Sequence, residues 1–282
     1  MLLLLLLACG STDAATPLPY QIFPSSEAAF EAVLAENPTV LGIGEVHATT
    51  DGPAIPTTIS RFTERLLPIL AHRMTDLVIE TWRLDHACGA QGEQVVATVQ
   101  ADTKRPEETK DEIVVLAEKA KALGIQPHDL TLSCEEYAAI QAKDGSVDYD
   151  QLLGMLTAKL GDYAQRGLTT PGASVVIYGG AMHNDLFPSD ALAPYSYGVA
   201  ARNTGGARYV ELDLYAPELI RGKTSLLEPG WAPLLDGVVG PDRAVLYTRG
   251  PQSYVLFLET VANGAPPTGA PAPATPPPAP PP

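Results

Sequence analysis

The run PTVLGIGE, residues 38 to 45, constrains the fold more than any other segment of this chain. It is apolar at both alternating positions, bounded by proline and glycine, and too short for a buried helix. Such a run reads as a strand covered on both faces. TDLVIET (75 to 81) and ASVVIYGGA (173 to 181) have the same character, and RYVELDLY (208 to 215) is a further strand. GIQPHDL (124 to 130) holds a short one, which Pro127 confines to a sheet edge or a strand end. Strands buried on both faces need helices on both sides, and helical patterns fill the intervals. SSEAAFEAVLAE offers a serine cap and the stripe Phe30, Val33 and Leu34. Ile55, Ile59, Phe62, Leu66 and Leu70 recur at helical spacing. Thr109 and Glu112 read as a capping box for a helix that buries Ile113, Leu116, Ala120 and Leu123 and ends at Gly124. SCEEYAAIQA and DYDQLLGMLTAKLGDYAQRG are two more helices. RAVLYTRGPQSYVLFLET (243 to 260) reads as a hairpin turning at Gly250-Pro251. The expected fold is α/β: a mostly parallel, mixed sheet with helices on both faces and a closing antiparallel hairpin.

The expected domain spans 25–263, between two tails. Residues 10–24, GSTDAATPLPYQIFP, read as a tether, and 264–282, about half proline and uncharged, as a disordered spacer. Of the 282 residues, 33 are acidic and 18 are lysine or arginine, a formal charge of −15. With no basic patch to offset it, that balance excludes nucleic acid as a partner.

The candidate chemistry gathers where the strands end. In open α/β sheets ligands sit outside the carboxyl ends of the strands. Glu45 and His47 end the first run, Glu80 the second and His183 the fourth, while His128 and Asp129 follow the third. Glu45 and His47, two apart, point the same way if the strand continues through them. A carboxylate beside an imidazole fixes its tautomer and raises its basicity, or shares a metal with it. Gly42, Gly44, Gly179 and Gly180 leave room for close approach. Trp82 and Arg83, just past Glu80, are further rim candidates, and His86 in the same loop stays open. The G-x-G at Gly42 and Gly44 lacks the third glycine of a dinucleotide fingerprint, and neither G-x-S-x-G nor H-E-x-x-H occurs.

Two resemblances follow from these residues. MLLLLLLAC resembles the lipobox of bacterial lipoprotein signal peptides, which implies a leader over residues 1–9, lipidation of Cys9 and a membrane-anchored place in the bacterial cell envelope, periplasmic or surface-facing. Cys88 and Cys134 then remain, either bonded or free. Gly44-Glu45-Val46-His47, LVIET and Gly180-Ala181-Met182-His183 resemble, in order, the motifs of the ChaN/Tiki/erythromycin-esterase superfamily. That resemblance covers about residues 38–260 and implies one of three activities: a metal-dependent peptidase, a histidine-dependent lactone esterase, or a haem-binding lipoprotein of iron uptake. The principal expectation is a hydrolase of peptide or ester bonds in which Glu45, His47, Glu80 and His183 are catalytic or hold a divalent ion, zinc or manganese. The alternative is a non-catalytic haem- or iron-binding lipoprotein, with Tyr178, beside the second motif, as a candidate haem ligand. A small molecule, haem or a peptide is the expected ligand, and haem sandwiched between two copies would make a homodimer.

Overall fold

The computed structural model describes residues 19–83, 88–142, 144–223 and 226–261. Cys9, His86 and the proline-rich 264–282 lie outside them, and of Trp82 and Arg83 only the backbone is described. Eight strands form one sheet: β1 (Tyr20–Phe23), β2 (Val40–Glu45), β3 (Asp76–Arg83), β4 (Gln126–Thr131), β5 (Val175–Gly180), β6 (Tyr209–Tyr215), β7 (Ala244–Gly250) and β8 (Ser253–Phe257). Their order across the sheet is β1-β7-β8-β6-β2-β5-β3-β4. From β8 to β4 every neighbouring pair is parallel, and the β7–β8 hairpin and β1 add antiparallel strands at the other edge. The expected hairpin forms, but it turns through Pro251 and Gln252, one residue later than Gly250-Pro251, because Gly250 still pairs with Ser253.

Helices cover both faces. On one, α1 (Ser26–Leu34), α2 (Thr58–Arg61) and α4 (Glu108–Ala122) pack on Leu41, Ile43, Leu77, Ile79, Val176 and Leu212. The other face carries α5 (Cys134–Ile140), α6 (Tyr149–Thr169) and α8 (Gly198–Gly205), packed on Val40, Val78, Ile177 and Tyr209. Both faces of each central strand are therefore apolar, which is why those runs do not alternate. The helix starts are local chemistry. Ser25 caps α1 by accepting from Ala28 N–H, Asp148 caps α6, and Ser133 and Glu136 close a full capping box on α5.

The structure corrects several expectations. The segment read as a tether ends in β1, whose Tyr20–Phe23 pair with Tyr247–Ala244. Four residues between two prolines carry too little periodicity to declare a strand; the open edge of β7 supplies the partner. The expected capping box at Thr109 does not form, because α4 begins at Glu108 and Glu112 accepts instead from the Thr57 hydroxyl at 2.6 Å. Strand β4 includes His128 and Asp129, which were expected to follow it, so His128 lies beside Asp76, 2.6 Å away and at the opening residue of β3, not at the carboxyl rim. Helix α3 (Gly89–Thr103) has no counterpart in the sequence reading. It contains two glycines near its start and offers only a narrow apolar face, so its stability must come from what it packs against.

One such anchor is covalent. Cys88, at the start of α3, is disulfide-bonded to Cys134, at the start of α5, with Cα atoms 5.1 Å apart. The two cysteines are 46 residues apart in the chain, and closing such a loop is worth about 4 kcal/mol in the chain-entropy account. Cys134→Ser is expected to lower stability by about that amount, read as the shift in urea midpoint times the slope. An unchanged midpoint would mean that the 88–134 segment stays ordered in the unfolded chain without the bond.

Candidate active site

The sheet order brings the candidate residues together. Strand β5 lies between β2 and β3, with Gly179 opposite Gly44 and Gly180 opposite Glu45. Glu45 continues the face of Leu41 and Ile43, and Glu80 continues the face of Val78, so the two acids approach from opposite sides of the sheet. They can do so because β5 ends without side chains. A Cβ on Gly179 would collide with the Glu80 carboxylate. A Cβ on Gly180 would stand 3.3 Å from His47 Nε2, 3.5 Å from Glu80 Oε2 and 3.9 Å from His183 Cδ2. Those three side chains therefore converge on one point at the mouth of β5. The aim of Glu80 also depends on an irregularity that no local pattern announces. Between Ile79 and Trp82 the register of β3 against β4 shifts, leaving Glu80 and Thr81 unpaired on that side; bulges commonly re-aim a side chain in this way.

Gly179→Ala is expected to push Glu80 from its seat, costing about 1–3 kcal/mol of stability by overpacking. A thermal melt with the same midpoint as the parent would refute that account of the glycine.

Each imidazole is fixed through Nδ1. His47 Nδ1–H donates to Glu45 Oε1 at 2.8 Å, and the Tyr178 hydroxyl donates to Glu45 Oε2 at 2.6 Å. A carboxylate accepts only, so the proton of a neutral His47 is on Nδ1 and its Nε2 lone pair is left on the cavity side. Tyr178 is itself stacked on Phe62, with ring centroids 4.7 Å apart. Burial and the Glu45 charge push its phenol well above its ordinary range, which keeps it a donor. His183 sits on α7 (Ala181–Asn184), a single turn directly after β5. Its Nδ1–H donates to the Tyr195 carbonyl at 2.8 Å; the Thr157 hydroxyl, 2.9 Å from the same nitrogen, donates to the same carbonyl. His183 Nε2 faces Glu80 Oε1 at 3.6 Å, and Glu80 Oε2 accepts from Gly180 N–H at 2.5 Å.

Electrostatics set the charge of the Glu80–His183 pair. Burial alone would raise the Glu80 carboxyl, but His183, then His47 and Arg105, bring it well below the usual carboxylate range. Burial alone would lower His183, yet the Glu80 charge raises its pKa. The Glu80–His183 pair is therefore biased toward carboxylate and imidazolium.

These groups line a cavity of about 550 Å³. Its wall is mainly apolar, with Val96, Val99, Ile113, Leu152, Leu153 and Leu156 among the lining residues, and Arg105 and Lys110 also border it.

Comparison with known proteins adds little to this geometry. No family model matches the chain, and no curated protein matches it. Among solved structures the chain is similar to the type III effector HopBA1, at 13% identity and a TM-score of 0.42, over 82% of this chain and 92% of that one. It is also similar to a Bacillus cereus protein (11% identity, TM-score 0.38, 70% and 72% covered). A succinoglycan biosynthesis protein follows (13%, 0.37, 70% and 73%). Likenesses this distant say nothing about chemistry.

All four residues expected at the site are brought together. Tyr178 needs correction: it is 2% exposed and its hydroxyl is bound to Glu45, so it orients the acid and does not face the cavity as a haem ligand would. Thr157, Tyr195 and Arg105 were missed by the sequence reading. The first two act through contacts 26 and 12 residues from His183 in the chain, and no local pattern marks them.

Proposed function

We propose that this protein is a hydrolase of ester or peptide bonds in which His47 activates water. The observation that carries this reading is the Glu45–His47 pair, with Nδ1 held by a carboxylate that Tyr178 holds in turn, and Nε2 open to the cavity. Water seated between Nε2 and a substrate carbonyl would lose its proton to His47 as its oxygen attacks. The negative charge that develops on the carbonyl oxygen would be met by the His183 imidazolium, kept charged by Glu80. His47 would then return its proton to the leaving oxygen or nitrogen. The paired G-x-x-H motifs, which resemble those of the ChaN/Tiki/erythromycin-esterase superfamily, lend support because the residues they carry are the ones in these roles. The Cys88–Cys134 disulfide suits the oxidising envelope location, with a lipid anchor at Cys9, that the leader suggests. Among the described residues no helix is long and apolar enough to cross a membrane.

A second reading keeps the residues and adds a divalent ion such as zinc or manganese. It is favoured by the Nδ1 anchoring of both imidazoles, the arrangement usual for metal-ligating histidines. His47, His183 and Glu80 would hold the ion, which would supply Lewis acidity and a more acidic water. The fit as placed is incomplete: Glu80 is occupied by His183 and Gly180 N–H, and among the described residues no group of three or more His, Cys, Asp or Glu is set around a metal position. Haem fits less well, since Tyr178 is withdrawn from the cavity.

The test is a panel of chromogenic esters and peptide amides, run on protein whose metal content and absorption spectrum have been measured. Turnover that survives chelation supports the His47 mechanism. Turnover lost on chelation and restored by zinc or manganese supports the second reading. Absence of turnover across the panel, with a Soret band on adding haem, would overturn both.

A further inference from the structure

The polar groups on the cavity wall are unevenly satisfied. Both oxygens of Glu45 are engaged, by His47 and Tyr178, and both oxygens of Glu80 face partners, His183 and Gly180 N–H. Tyr149, also on the lining, donates to Asp102 at 2.8 Å. The two cations are different. Arg105, half-buried in the connection between α3 and α4, and Lys110, in the first turn of α4, have no hydrogen-bond or ion-pair partner among the described residues. Lys110 is exposed to solvent, so the unmatched cation that matters is Arg105, on a lining that also carries carboxylates. Just outside it Lys104, exposed like Lys110, has found Asp51 at 2.9 Å. A guanidinium presents five N–H donors and no acceptor, so what Arg105 lacks is an anion.

Arg105 borders the same cavity as Glu45, His47, Glu80 and His183. On the same cavity the leucines of α6 and the valines of α3 form an apolar wall. A cation with unmet donors beside an apolar wall, both next to a candidate nucleophile-generating pair, selects for a particular molecule. We infer that the site takes an anionic amphiphile: an apolar acyl chain seated against Val96, Val99, Leu152 and Leu156, with a carboxylate or similar anion held by Arg105 and seconded by Lys110. The inference deepens the hydrolase reading by naming its substrate class, an acyl ester or amide that carries a negative charge near the bond to be cleaved.

Binding tests the class without requiring turnover. Decanoate and decyltrimethylammonium, each below its critical micelle concentration, and 1-decanol, below its solubility limit, are titrated into the full-length protein by isothermal calorimetry, with butyrate as a short-chain control. Decanoate is expected to bind about tenfold or more tighter than either other ten-carbon probe, the scale of one charge-assisted hydrogen bond, and butyrate far more weakly. Arg105→Gln is expected to erase the preference for decanoate over decanol while leaving decanol binding unchanged, a readout that misfolding would not give. Equal affinity for the three ten-carbon probes, an unchanged preference in Arg105→Gln, or no binding of decanoate would each overturn the inference. A parent that binds decanoate selectively but cleaves no ester in the panel would overturn the hydrolase reading and uphold the ligand class.

Discussion

His47→Ala is expected to lower ester or amide turnover by about 10²–10⁴-fold, the usual contribution of a positioned general base, with little change in melting temperature. His47 is the one member of the constellation that the fold can lose at low cost. Its side chain is 31% exposed, and Glu45 would keep the Tyr178 hydrogen bond. The deficit is expected to be partly repaired by added imidazole, because the missing group is a diffusible base and the Glu45 carboxylate that orients it remains. Tyr178→Phe should cost less, since it frees one carboxylate oxygen and leaves the His47 contact intact. Initial rates at saturating and limiting substrate separate these effects. Full activity in His47→Ala would remove the proposed mechanism, and a loss with no imidazole rescue in a stably folded variant would shift weight to the metal reading.

Arg249→Met is expected to destabilise the protein by about 3–5 kcal/mol at pH 8, the scale of removing one partner from a buried ionic cluster. Arg249 is the hub of an acidic group behind the site. It reaches Glu211 at 2.6 Å, Asp185 at 3.0 Å and, at a more exposed edge, Glu228 at 3.2 Å. Glu211 is fully buried, and Asp213, two residues along β6, is 2% exposed and accepts from Asn184 at 3.1 Å. Burial pushes Glu211 well above the usual carboxylate range and Asp213 up to about 7. In the parent, the folded Asp213 therefore keeps a proton that the unfolded chain releases. Its contribution to stability falls as pH rises from about 3.8, the unfolded value, through about 7, and is constant above that. Without Arg249 both carboxyls lose the charge that favours their ionised forms, so the variant's deficit is expected to shrink between pH 8 and pH 5.5. Urea unfolding at the two pH values measures this. An equal deficit at both would mean that the cluster remains ionised throughout.

How much of this was legible in the sequence differs by element. LGIGE, LVIE and VVIYGG were readable as strands because burial on both faces writes an unbroken apolar run, a purely local signal. The placement of Glu45, His47, Glu80 and His183 at strand ends was readable for the same reason. Strand β1 and helix α3 were not, since their own residues are weak formers stabilised by the edge of β7 and by α5 with the Cys88–Cys134 bond. The role of Tyr178 was misread because proximity in sequence to a motif says nothing of which face a strand residue takes. Tyr178 alternates onto the face of Ile43 and Glu45, where a hydroxyl meets a carboxylate.

The sequence by itself determined a parallel α/β body with acids and imidazoles at the carboxyl ends of its strands, because hydrophobic periodicity and the points where it stops are properties of short segments. Only the tertiary structure decided that β5 lies between β2 and β3, that Glu80 is turned toward Gly180, and that Arg105, beside an apolar wall, has no partner anion among the described residues. Those depend on strand order and on partners scores of residues away, which no local pattern encodes.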